Sequence, residues 1–287
     1  MWGLRMLTEN MLQALWPHGD SKVAGLIAGI AAAAPTIFPK YGLNSDLVIA
    51  HAMAQFSHEC GAGTEMTENI RYTAERACVV WPSRFSSPAD CYRKVGSFAG
   101  DPNFPVKLID NVYGNRMGNR PGTHDGSTFI GRGLSQVTGR DGYTKLGART
   151  GLDLIGNPDL ASAAGTALEC GVADFVLCGC LPFAERDDIG GVTLHLNGGH
   201  IGLAERTAWL GRWKTALGSE NPPAHSTAWL QVSLNKLGAD PELVPDGSFG
   251  PMTAAAMRHF QANHGVNADG KVSPESIAAI ETALKAA

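Results

Sequence analysis

Two carboxylates within residues 56–72 have the type and spacing that acid–base chemistry requires. Glu59 and Glu68 flank a loop in which Gly61 and Gly63 allow the chain to turn back, so the two side chains can face each other. A protonated carboxyl group can donate to a leaving oxygen while an ionised partner activates water, and such a pair can cleave a glycosidic bond. The alternative is that both are ordinary surface carboxylates, which is our interpretation of Glu65.

The distance between Glu59 and Glu68 decides which reaction such a pair performs. A separation of roughly 6.5–9.5 Å leaves room for a water between the base and the sugar and predicts inversion at the anomeric carbon. At about 5–5.5 Å the second carboxylate would act as a nucleophile. Sequence spacing does not fix this distance, so both reactions stay open at this point.

Glu59 is predicted to lie in the last turn of a helix that covers residues 46–60. Asn44 or Ser45 suits the N-cap, and Gly61 supplies the stop. A carboxyl group in the last turn faces the partial negative charge of the terminal carbonyls, which, with partial burial, favours its protonated form. We therefore expect Glu59 to serve as the general acid. Val48, Ala52, Phe56 and Glu59 follow one another at spacings of four, four and three residues, which places them on one face of this helix.

The sequence around these carboxylates resembles a known catalytic segment. Residues 58–63, His-Glu-Cys-Gly-Ala-Gly, and residues 68–72, Glu-Asn-Ile-Arg-Tyr, are similar to the catalytic segment of glycoside hydrolase family 19, in its bacteriophage endolysin branch rather than its plant chitinases. The resemblance implies that Glu59 is the general acid and Glu68 the general base. It also implies that His58 and Tyr72 bind substrate, and that the fold is all-α with a lysozyme-like, two-lobed catalytic domain.

Residues 110–143 are rich in Gly, Asn and Arg, which predicts a long exposed loop with a functional role. Part of this segment, residues 131–143, resembles the family motif Gly-Arg-Gly-x-x-Gln, followed by a hydrophobic residue, Ser or Thr, and a later Tyr. By this resemblance Thr138 helps to hold the attacking water and Gln136 contacts the sugar. A neutral hydroxyl can both donate to and accept from a water without competing with Glu68 for its proton. Ser135 departs from the family pattern, because many relatives have Ile there.

A third matching segment, residues 195–206, resembles the family's Ile-Asn-Gly-Gly element with its trailing Arg. The resemblance implies that Asn197 donates to and accepts from a sugar amide. It also implies that Arg206 pairs with a carboxylate of the catalytic site and so sets its charge, although a surface position for Arg206 stays open. His195 stands where the family usually has a hydrophobic residue, which concerns local packing.

The remaining elements before residue 217 are predicted to form a helical scaffold. The patterns predict helices over residues 8–16, with Thr8 as cap, over 22–34, broken by Pro35, and over 161–177 as part of the core. Another helix should open at Thr73 or Ala74. Residues 81–85, Trp-Pro-Ser-Arg-Phe, resemble an element of the endolysin branch, and they either line a sugar groove or pack in the core.

The C-terminal part of the chain has a different composition. Residues 218–225 have the Pro and small polar residues of a linker. Residues 226–287 resemble the small three-helix peptidoglycan-binding domain of many cell-wall hydrolases, with its Asp-Gly-x-Phe-Gly-Pro-x-Thr element at 246–253 and Phe-Gln at 260–261. This part has four basic and six acidic residues, a net charge of −2, so we do not expect it to bind through bulk electrostatics.

Length and charge limit the possible partners. A chain of 287 residues can form one large core and a small second domain. Its net charge of −4 argues against a nucleic-acid partner, which requires a basic face. An acidic cell-wall polymer would have to be bound by local basic residues rather than by the overall field. We expect a monomer with no nucleic acid and no stable membrane association.

The cysteines and histidines do not form a metal-binding or disulfide pattern. The six cysteines are scattered and match no compact disulfide framework, so buried thiols are the preferred interpretation. Cys178 and Cys180 lack the spacing of a zinc knuckle or redox site, and His58 and Glu59 are not followed by the second His of a zincin. We expect no metal and no cofactor.

The apolar residues 23–34 raise the question of whether the chain carries a signal peptide for export. They could pass for the core of a signal peptide, but they follow Glu9 and Asp20 and are too short to span a bilayer, so a helix of the catalytic domain is favoured. We therefore expect synthesis in the cytoplasm of a bacterial host without a cleaved signal peptide. The resemblance to phage endolysins implies release to the cell wall through a holin pore.

The combined prediction is a modular lytic enzyme. Residues 1–217 would form the catalytic domain, 218–225 a linker and 226–287 the wall-binding domain. The resemblance implies an endolysin that cleaves peptidoglycan strands between N-acetylmuramic acid and N-acetylglucosamine with inversion. The alternative within the family is a chitinase that cuts N-acetylglucosamine polymers.

Two hypotheses from other classes also fit parts of the sequence. A peptidase or amidase could use Cys60 with His51 or His58, although no orienting Asn or Asp is evident. A binding protein without catalysis, such as a virion or wall-anchoring component, would need none of these carboxylates.

Overall fold

The computed structural model describes residues 7–218, 222 and 224–286, and these residues form helices and two isolated β-bridges but no strand. The predicted all-α fold is confirmed. In the same ranges no helix is both long and apolar enough to cross a bilayer. Residues 219–221 and 223 of the predicted linker lie outside the described residues, and the predicted domain boundaries stay a prediction.

The α-helices are α1 (Glu9–Leu15), α2 (Leu26–Lys40), α3 (Asp46–Glu59), α4 (Ala74–Val80), α5 (Pro88–Val95), α6 (Phe104–Tyr113), α7 (Asp125–Thr128), α8 (Arg140–Thr150), α9 (Ala167–Leu177), α10 (Leu181–Ala184), α11 (Ile189–Asn197), α12 (Leu203–Ala216), α13 (Thr227–Lys236), α14 (Pro251–Asn263) and α15 (Pro274–Ala286).

The chain divides into two compact units. The first contains the described residues up to Pro17, Phe38–His58 and the described residues from Leu181 onward. The second contains His18–Ile37 and Glu59–Cys180. The chain passes from one unit to the other within α2 and again at the end of α3. Glu59 and Glu68 therefore both belong to the second unit.

Helix α3 forms as the sequence predicts. The Ser45 hydroxyl accepts the backbone N–H of Val48 at 3.3 Å, which caps the first turn. The helix is buried on all sides from residue 48 to residue 57. Ser57 Oγ accepts the indole N–H groups of Trp16 and Trp213, each at 2.8 Å, and donates to the helix backbone at 2.7 Å. Because a hydroxyl has one donor and two acceptor sites, these three bonds satisfy it and fix the helix in its unit.

Helix α2 differs from the prediction, because it continues through Pro35 to Lys40. Proline removes a backbone donor and crowds the carbonyl four residues earlier, which costs about 3 kcal/mol in a helix interior. Ile30, Ala34 and Phe38, on both sides of the proline, are buried. Burial contributes about 1.5–3 kcal/mol for each large apolar side chain, so core packing outweighs the local penalty.

A small apolar cluster in the second unit joins α4, α5 and α6. Thr73 caps α4 as predicted, since its hydroxyl accepts the N–H of Arg76 at 3.2 Å. Phe85 is buried in this cluster and Trp81 packs against it, whereas Pro82 and Ser83 are exposed. Tyr72 and Tyr113 lie partly buried against the same cluster, which fixes their rings. The buried members are Ala74, Ala77, Phe85, Cys91, Phe104, Leu108 and Val112.

The segment 110–143 is only partly the exposed loop that its composition predicts, and its exposed part comprises residues 115–118 and 120–124. It contains the end of α6, the short helix α7 and the start of α8, and residues 129–134 are buried. Asp125 is buried and accepts Arg120 Nε at 2.9 Å and Arg140 Nη1 at 3.4 Å. Its hydrogen bonds with Arg120 lower the pKa of Asp125 to about 2. Arg120 and Arg140 therefore hold a buried carboxylate, although the Arg120 side chain is itself 60% exposed.

Helix α9 begins later than predicted, at Ala167 rather than Ala161. Residues Pro158–Ala161 form a separate 3₁₀ turn, and the Thr166 hydroxyl donates to the Leu160 carbonyl between the two elements. This side-chain bond offers the backbone an alternative to continuing the helix. Leu168, Val172 and Phe175 of α9 are buried in the core.

The C-terminal residues form the predicted three helices, α13, α14 and α15. Their core contains Leu230, Leu234, Met257, Phe260 and Ile280. Two buried glutamines hold the connecting turns. Gln231 Nε2 donates to Asp246 Oδ1 at 2.7 Å, and Gln261 Oε1 accepts the N–H of Gly270 at 2.8 Å.

Candidate active site

The loop after α3 returns the chain so that Glu68 lies against the segment 131–138. Gly61, Ala62 and Gly63 all have positive φ, and the Cys60 carbonyl accepts the N–H groups of Gly63 at 3.0 Å and Glu65 at 2.9 Å. A Cβ on Gly63 would lie 2.7 Å from the Gly19 carbonyl oxygen, so only glycine allows this approach. The predicted turn at the two glycines is present.

Glu68 is half-buried, and both of its carboxylate oxygens accept hydrogen bonds. Tyr113 Oη donates to Oε1 at 2.8 Å, and the Gly131 N–H donates to Oε2 at 3.0 Å. The Glu68 N–H in turn donates to the Gly131 carbonyl at 2.8 Å. Burial first, and then the charge of Glu68, raise the pKa of Tyr113, so its hydroxyl remains a donor. An ionised carboxylate can only accept, and this environment suits that form.

Gly131 is the point at which three predicted site residues meet. A Cβ placed on it would lie 2.9 Å from Gln136 Oε1, 3.4 Å from Thr138 Oγ1 and 3.5 Å from Glu68 Cβ. The structure therefore brings Glu68, Thr138 and Gln136 together in the second unit. A hydroxyl beside a carboxylate can orient a water toward it, which is the arrangement that a general base requires.

Gln136 is held in an unusual conformation. Its φ of +56° lies in the left-handed region, which costs about 1–3 kcal/mol for a residue other than glycine. Its Nε2 donates to the carbonyls of Glu65 and Gly133, both at 2.9 Å, and Thr138 Oγ1 donates to the Gln136 carbonyl at 2.9 Å. Because both amide protons of Gln136 are used in hydrogen bonds within the protein, its side chain can bind a sugar only by accepting a hydrogen bond at Oε1.

An open groove of about 820 Å³ runs beside Glu68, and we call it the Glu68 groove. Its volume is in the range of sites that hold small ligands or short oligomers. The ring centroids of Tyr72 and Trp81 lie 5.0 Å apart. Tyr72 forms part of the wall of the groove. Its lining includes Lys22, Glu65, Glu68, Arg71, Tyr72 and Gln136. Glu59 is not among the described residues that line it.

Glu59 ends α3 half-buried, and its charge acts on a third carboxylate, Asp174 of α9. Burial first, and then the charge of Glu59, raise the pKa of Asp174. Ser135 and Cys178 hydrogen-bond to Asp174 and oppose this rise. Ser135, the departure from the family pattern, thus has a role, since it solvates a buried carboxylate beside Glu59. The role of Glu59 as general acid stays a prediction.

Three other predicted residues belong to the first unit. His58 packs against Gly202, where an added Cβ would lie 2.3 Å from His58 Nε2. Asn197 is the exposed last residue of α11. Arg206 is buried, which excludes the surface position, and it donates to the Ile201 carbonyl at 3.2 Å and to Gln55 Oε1. Their roles in substrate binding stay predictions.

The thiol-dependent alternative is wrong on physical grounds. Cys60 is fully buried, and burial raises the pKa of its thiol to about 12. A nucleophilic cysteine requires a thiolate, which is absent at such a pKa near neutrality. His51 is also buried and hydrogen-bonds to Asp187 at 2.9 Å.

Four of the six cysteines are buried, and Cys78 and Cys178 are half-buried. All six cysteines lie in the described ranges as thiols, and no disulfide joins them there. Within those ranges no group of three or more His, Cys, Asp and Glu side chains could hold a metal ion.

Tyr113 and Gly131 are the contacts that sequence reasoning missed. Both lie in segments where the chain is rich in glycine, and neither residue type predicts a contact 45 or 63 positions away. The signal available in sequence was the match at 131–143, which places Gly131 at its start.

Comparison with known proteins agrees with both parts of the sequence prediction. Residues 225–280 match the peptidoglycan binding domain family. The chain is 26% identical over 202 residues to a glycosyl hydrolase family 19 domain-containing protein of Haemophilus influenzae, covering 70% of this chain and 92% of that protein. This chain is a homologue of a glycoside hydrolase family 19 protein. The predicted relationship to family 19 and the predicted glycoside hydrolase are thereby confirmed, while the bacteriophage branch stays a prediction.

Two solved structures are similar to this chain at lower sequence identity. Chitinase C from Streptomyces griseus HUT6037 is 16% identical with a TM-score of 0.46, covering 76% of this chain and 96% of that one. A bacterial family 19 chitinase is 20% identical with a TM-score of 0.47, covering 75% and 96%.

Proposed function

We propose that this protein is a muramidase-type endolysin that hydrolyses the glycan strands of bacterial peptidoglycan. The observation that carries the proposal is the meeting of Glu68, Thr138 and Gln136 at Gly131, beside an open groove. The match of residues 225–280 to a peptidoglycan-binding domain supports a wall polymer as the substrate. Glycan chains of the peptidoglycan or chitin type are the substrate class that the family relationship supports.

The proposed reaction is an inverting hydrolysis with two carboxylates. Glu59 donates its proton to the glycosidic oxygen, which leaves as an alcohol. Glu68 removes a proton from a water that Thr138 helps to orient, and that water attacks the anomeric carbon from the opposite face. The proton balance is restored when Glu59 regains a proton and Glu68 loses one to solvent.

Tyr113 and the Gly131 N–H give Glu68 a fixed direction for this step. Each holds one carboxylate oxygen, at 2.8 and 3.0 Å. A base held in one orientation avoids part of the entropy loss on reaching the transition state. The catalytic water would then lie on the side of Glu68 that faces Thr138.

The C-terminal domain would keep the enzyme on its insoluble substrate. A second binding site joined by a linker raises the effective concentration of the catalytic part at the polymer. The site of action in this proposal is the cell wall, reached after release from the bacterial cytoplasm.

The test is to digest purified murein and identify the new reducing end. Borohydride reduction followed by sugar analysis should yield muramicitol, the product of cleavage after N-acetylmuramic acid. Glucosaminitol as the new reduced end would contradict the muramidase specificity. The main alternative is a chitinase, and more rapid hydrolysis of N-acetylglucosamine oligomers than of solubilised murein strands would favour it.

The stereochemistry is tested separately by proton NMR during hydrolysis of a soluble oligosaccharide. Inversion predicts that the β-linked substrate first gives the α-anomer of the product. Initial release of the β-anomer would show retention and exclude a simple general base role for Glu68.

A further inference from the structure

The Glu68 groove contains two basic side chains for which the reaction chemistry has no use. Lys22 precedes α2, and Arg71 follows Glu68 by three positions, so they come from separate parts of the second unit. Both side chains are exposed, and neither forms an ion pair with any residue in the part of the chain that the structure describes. Two unpaired cations therefore face the same open groove.

Several other basic residues of this unit have acidic partners. Arg132 pairs with Asp159 at 2.9 Å, and Lys107 pairs with Asp101 at 2.8 Å. Arg120 is likewise held by a carboxylate, as described above. Acidic partners are therefore available in this unit, and the two basic residues that line the groove, Lys22 and Arg71, do not pair with them among the described residues.

The charge of the whole chain makes these two residues distinctive. With a net charge of −4, the protein offers no general attraction for a polyanion, so an acidic substrate must be met by cations at the site. The groove also carries Glu65 and Glu68, and Lys22 and Arg71 offset their repulsion of an anionic strand. A neutral polysaccharide would not need such cations.

We propose that Lys22 and Arg71 bind carboxylates of the peptidoglycan strand and give the Glu68 groove its preference for this anionic glycan over chitin. Peptidoglycan carries carboxylates on the lactyl group of muramic acid and on its stem peptides, whereas chitin carries none. Arg71 can bind a carboxylate through two parallel hydrogen bonds, and Lys22 acts as a point charge. The inference rests on the proposed function and adds the determinant of its specificity.

The experiment compares wild type with Lys22→Gln, Arg71→Gln and the double variant. Arg76→Gln is the matched control, because Arg76 is an exposed arginine of α4 outside the groove lining. Each enzyme is assayed on soluble peptidoglycan strands with stem peptides, on strands stripped of stem peptides, and on a chitin oligomer. The groove is solvent-exposed, so the effect of each cation should be modest and sensitive to salt.

The specificity ratio is kcat/KM for peptidoglycan strands divided by kcat/KM for the chitin oligomer. We expect each single variant to lower this ratio about three- to tenfold at low ionic strength, mainly by raising KM for peptidoglycan. Raising the salt concentration should reduce the difference from wild type. A lower ratio on stripped strands assigns the contact to the lactyl carboxylate, and a lower ratio only on strands with peptides assigns it to the stem. An unchanged ratio in the double variant would overturn the proposal.

Binding separates this inference from the proposed function. Calorimetric titration of wild type and the double variant, with stripped strands and with strands that carry stem peptides, measures affinity whether or not bonds are cut when it is done at low temperature and short times. Weaker binding by the double variant supports the inference even if wild type fails to release muramic acid ends. Equal binding of both kinds of strand by the two enzymes contradicts the inference even if wild type is an active muramidase.

Discussion

At the scale of single residues, the environment of Glu68 is the best-defined part of the site. Two donors hold its oxygens, and Thr138 and Gln136 approach the same side of Gly131 as Glu68 does. The sequence match predicted three of these five residues, namely Glu68, Thr138 and Gln136. Tyr113 and Gly131 could not be predicted, because their contacts depend on how α6 and the 131–138 segment fold against the loop after α3.

The hydrogen bond from Tyr113 to Glu68 should affect turnover rather than substrate binding. In Tyr113→Phe the ring remains against the apolar cluster, but one carboxylate oxygen loses its donor. A hydrogen bond to a charged group contributes about 1.5–3 kcal/mol, so kcat should fall by roughly ten- to a hundredfold with little change in KM. Steady-state kinetics on a soluble oligosaccharide measures both constants. A change confined to KM would show that Tyr113 contacts substrate instead of positioning the base.

The close approach at Gly131 gives a second prediction. In Gly131→Ala the new methyl group would lie 2.9 Å from Gln136 Oε1, so Gln136 or the Glu68 loop has to shift. A displacement of about 1 Å at a catalytic group can lower the rate about a hundredfold, and we expect kcat to fall by roughly ten- to a hundredfold. Gly165→Ala is the control, because an added Cβ there meets nothing within 4 Å. Equal rates for the two variants would contradict this description of the site.

At the scale of elements, local sequence signals succeeded where they agreed with packing. Ser45 and the apolar pattern of α3 predicted both its start and its burial, and the Gly61 stop is present. Pro35 predicts a stop, yet α2 continues because Ile30, Ala34 and Phe38 are buried around it. Burial partners are not visible in a single sequence, which is why the extent of α2 could not be predicted.

The three-helix C-terminal element offers a test of the wall-binding role. Ile280 on α15 is fully buried in its core, and Ile280→Ala should cost about 2–5 kcal/mol of stability. We expect weaker binding to insoluble sacculi in a pelleting assay, with hydrolysis of a soluble oligosaccharide largely retained. Val272→Ala is the control, since Val272 is 49% exposed in the same element. If Ile280→Ala unfolds measurably earlier but still pellets with sacculi as wild type does, this element is not the wall anchor.

At the scale of the whole molecule, a buried histidine links stability to pH. His51 on α3 is fully buried, and Asp187 accepts a hydrogen bond from its Nε2 at 2.9 Å. No described residue hydrogen-bonds to His51 Nδ1. Burial lowers the pKa of His51, although the hydrogen bond to Asp187 and its charge act in the opposite direction. The imidazole is therefore neutral in the folded protein.

The sign of the pH effect follows from proton uptake. An unfolded histidine binds a proton near pH 6.5, whereas His51 in the folded protein does so only at lower pH. Unfolding therefore takes up a proton in this window, and stability falls as the pH is lowered from about 6.5, by up to about 1.4 kcal/mol per pH unit. His51→Gln should remove this slope in urea titrations between about pH 5 and 7. His259→Gln, at an exposed position, serves as control, and a slope unchanged in His51→Gln would contradict the assignment.

The central claim is that Glu59 and Glu68 together cleave a glycan strand. The most direct measurement is the rate of release of reducing ends from purified murein by wild type, Glu59→Gln and Glu68→Gln, with Glu75→Gln as a control at an exposed carboxylate of α4. General acid and general base catalysis each contribute about 10²–10⁴-fold, so both active-site variants should lose at least about a hundredfold in rate while keeping the wild-type unfolding temperature. If either folded variant retains more than about a tenth of the wild-type rate, the two-carboxylate mechanism is contradicted.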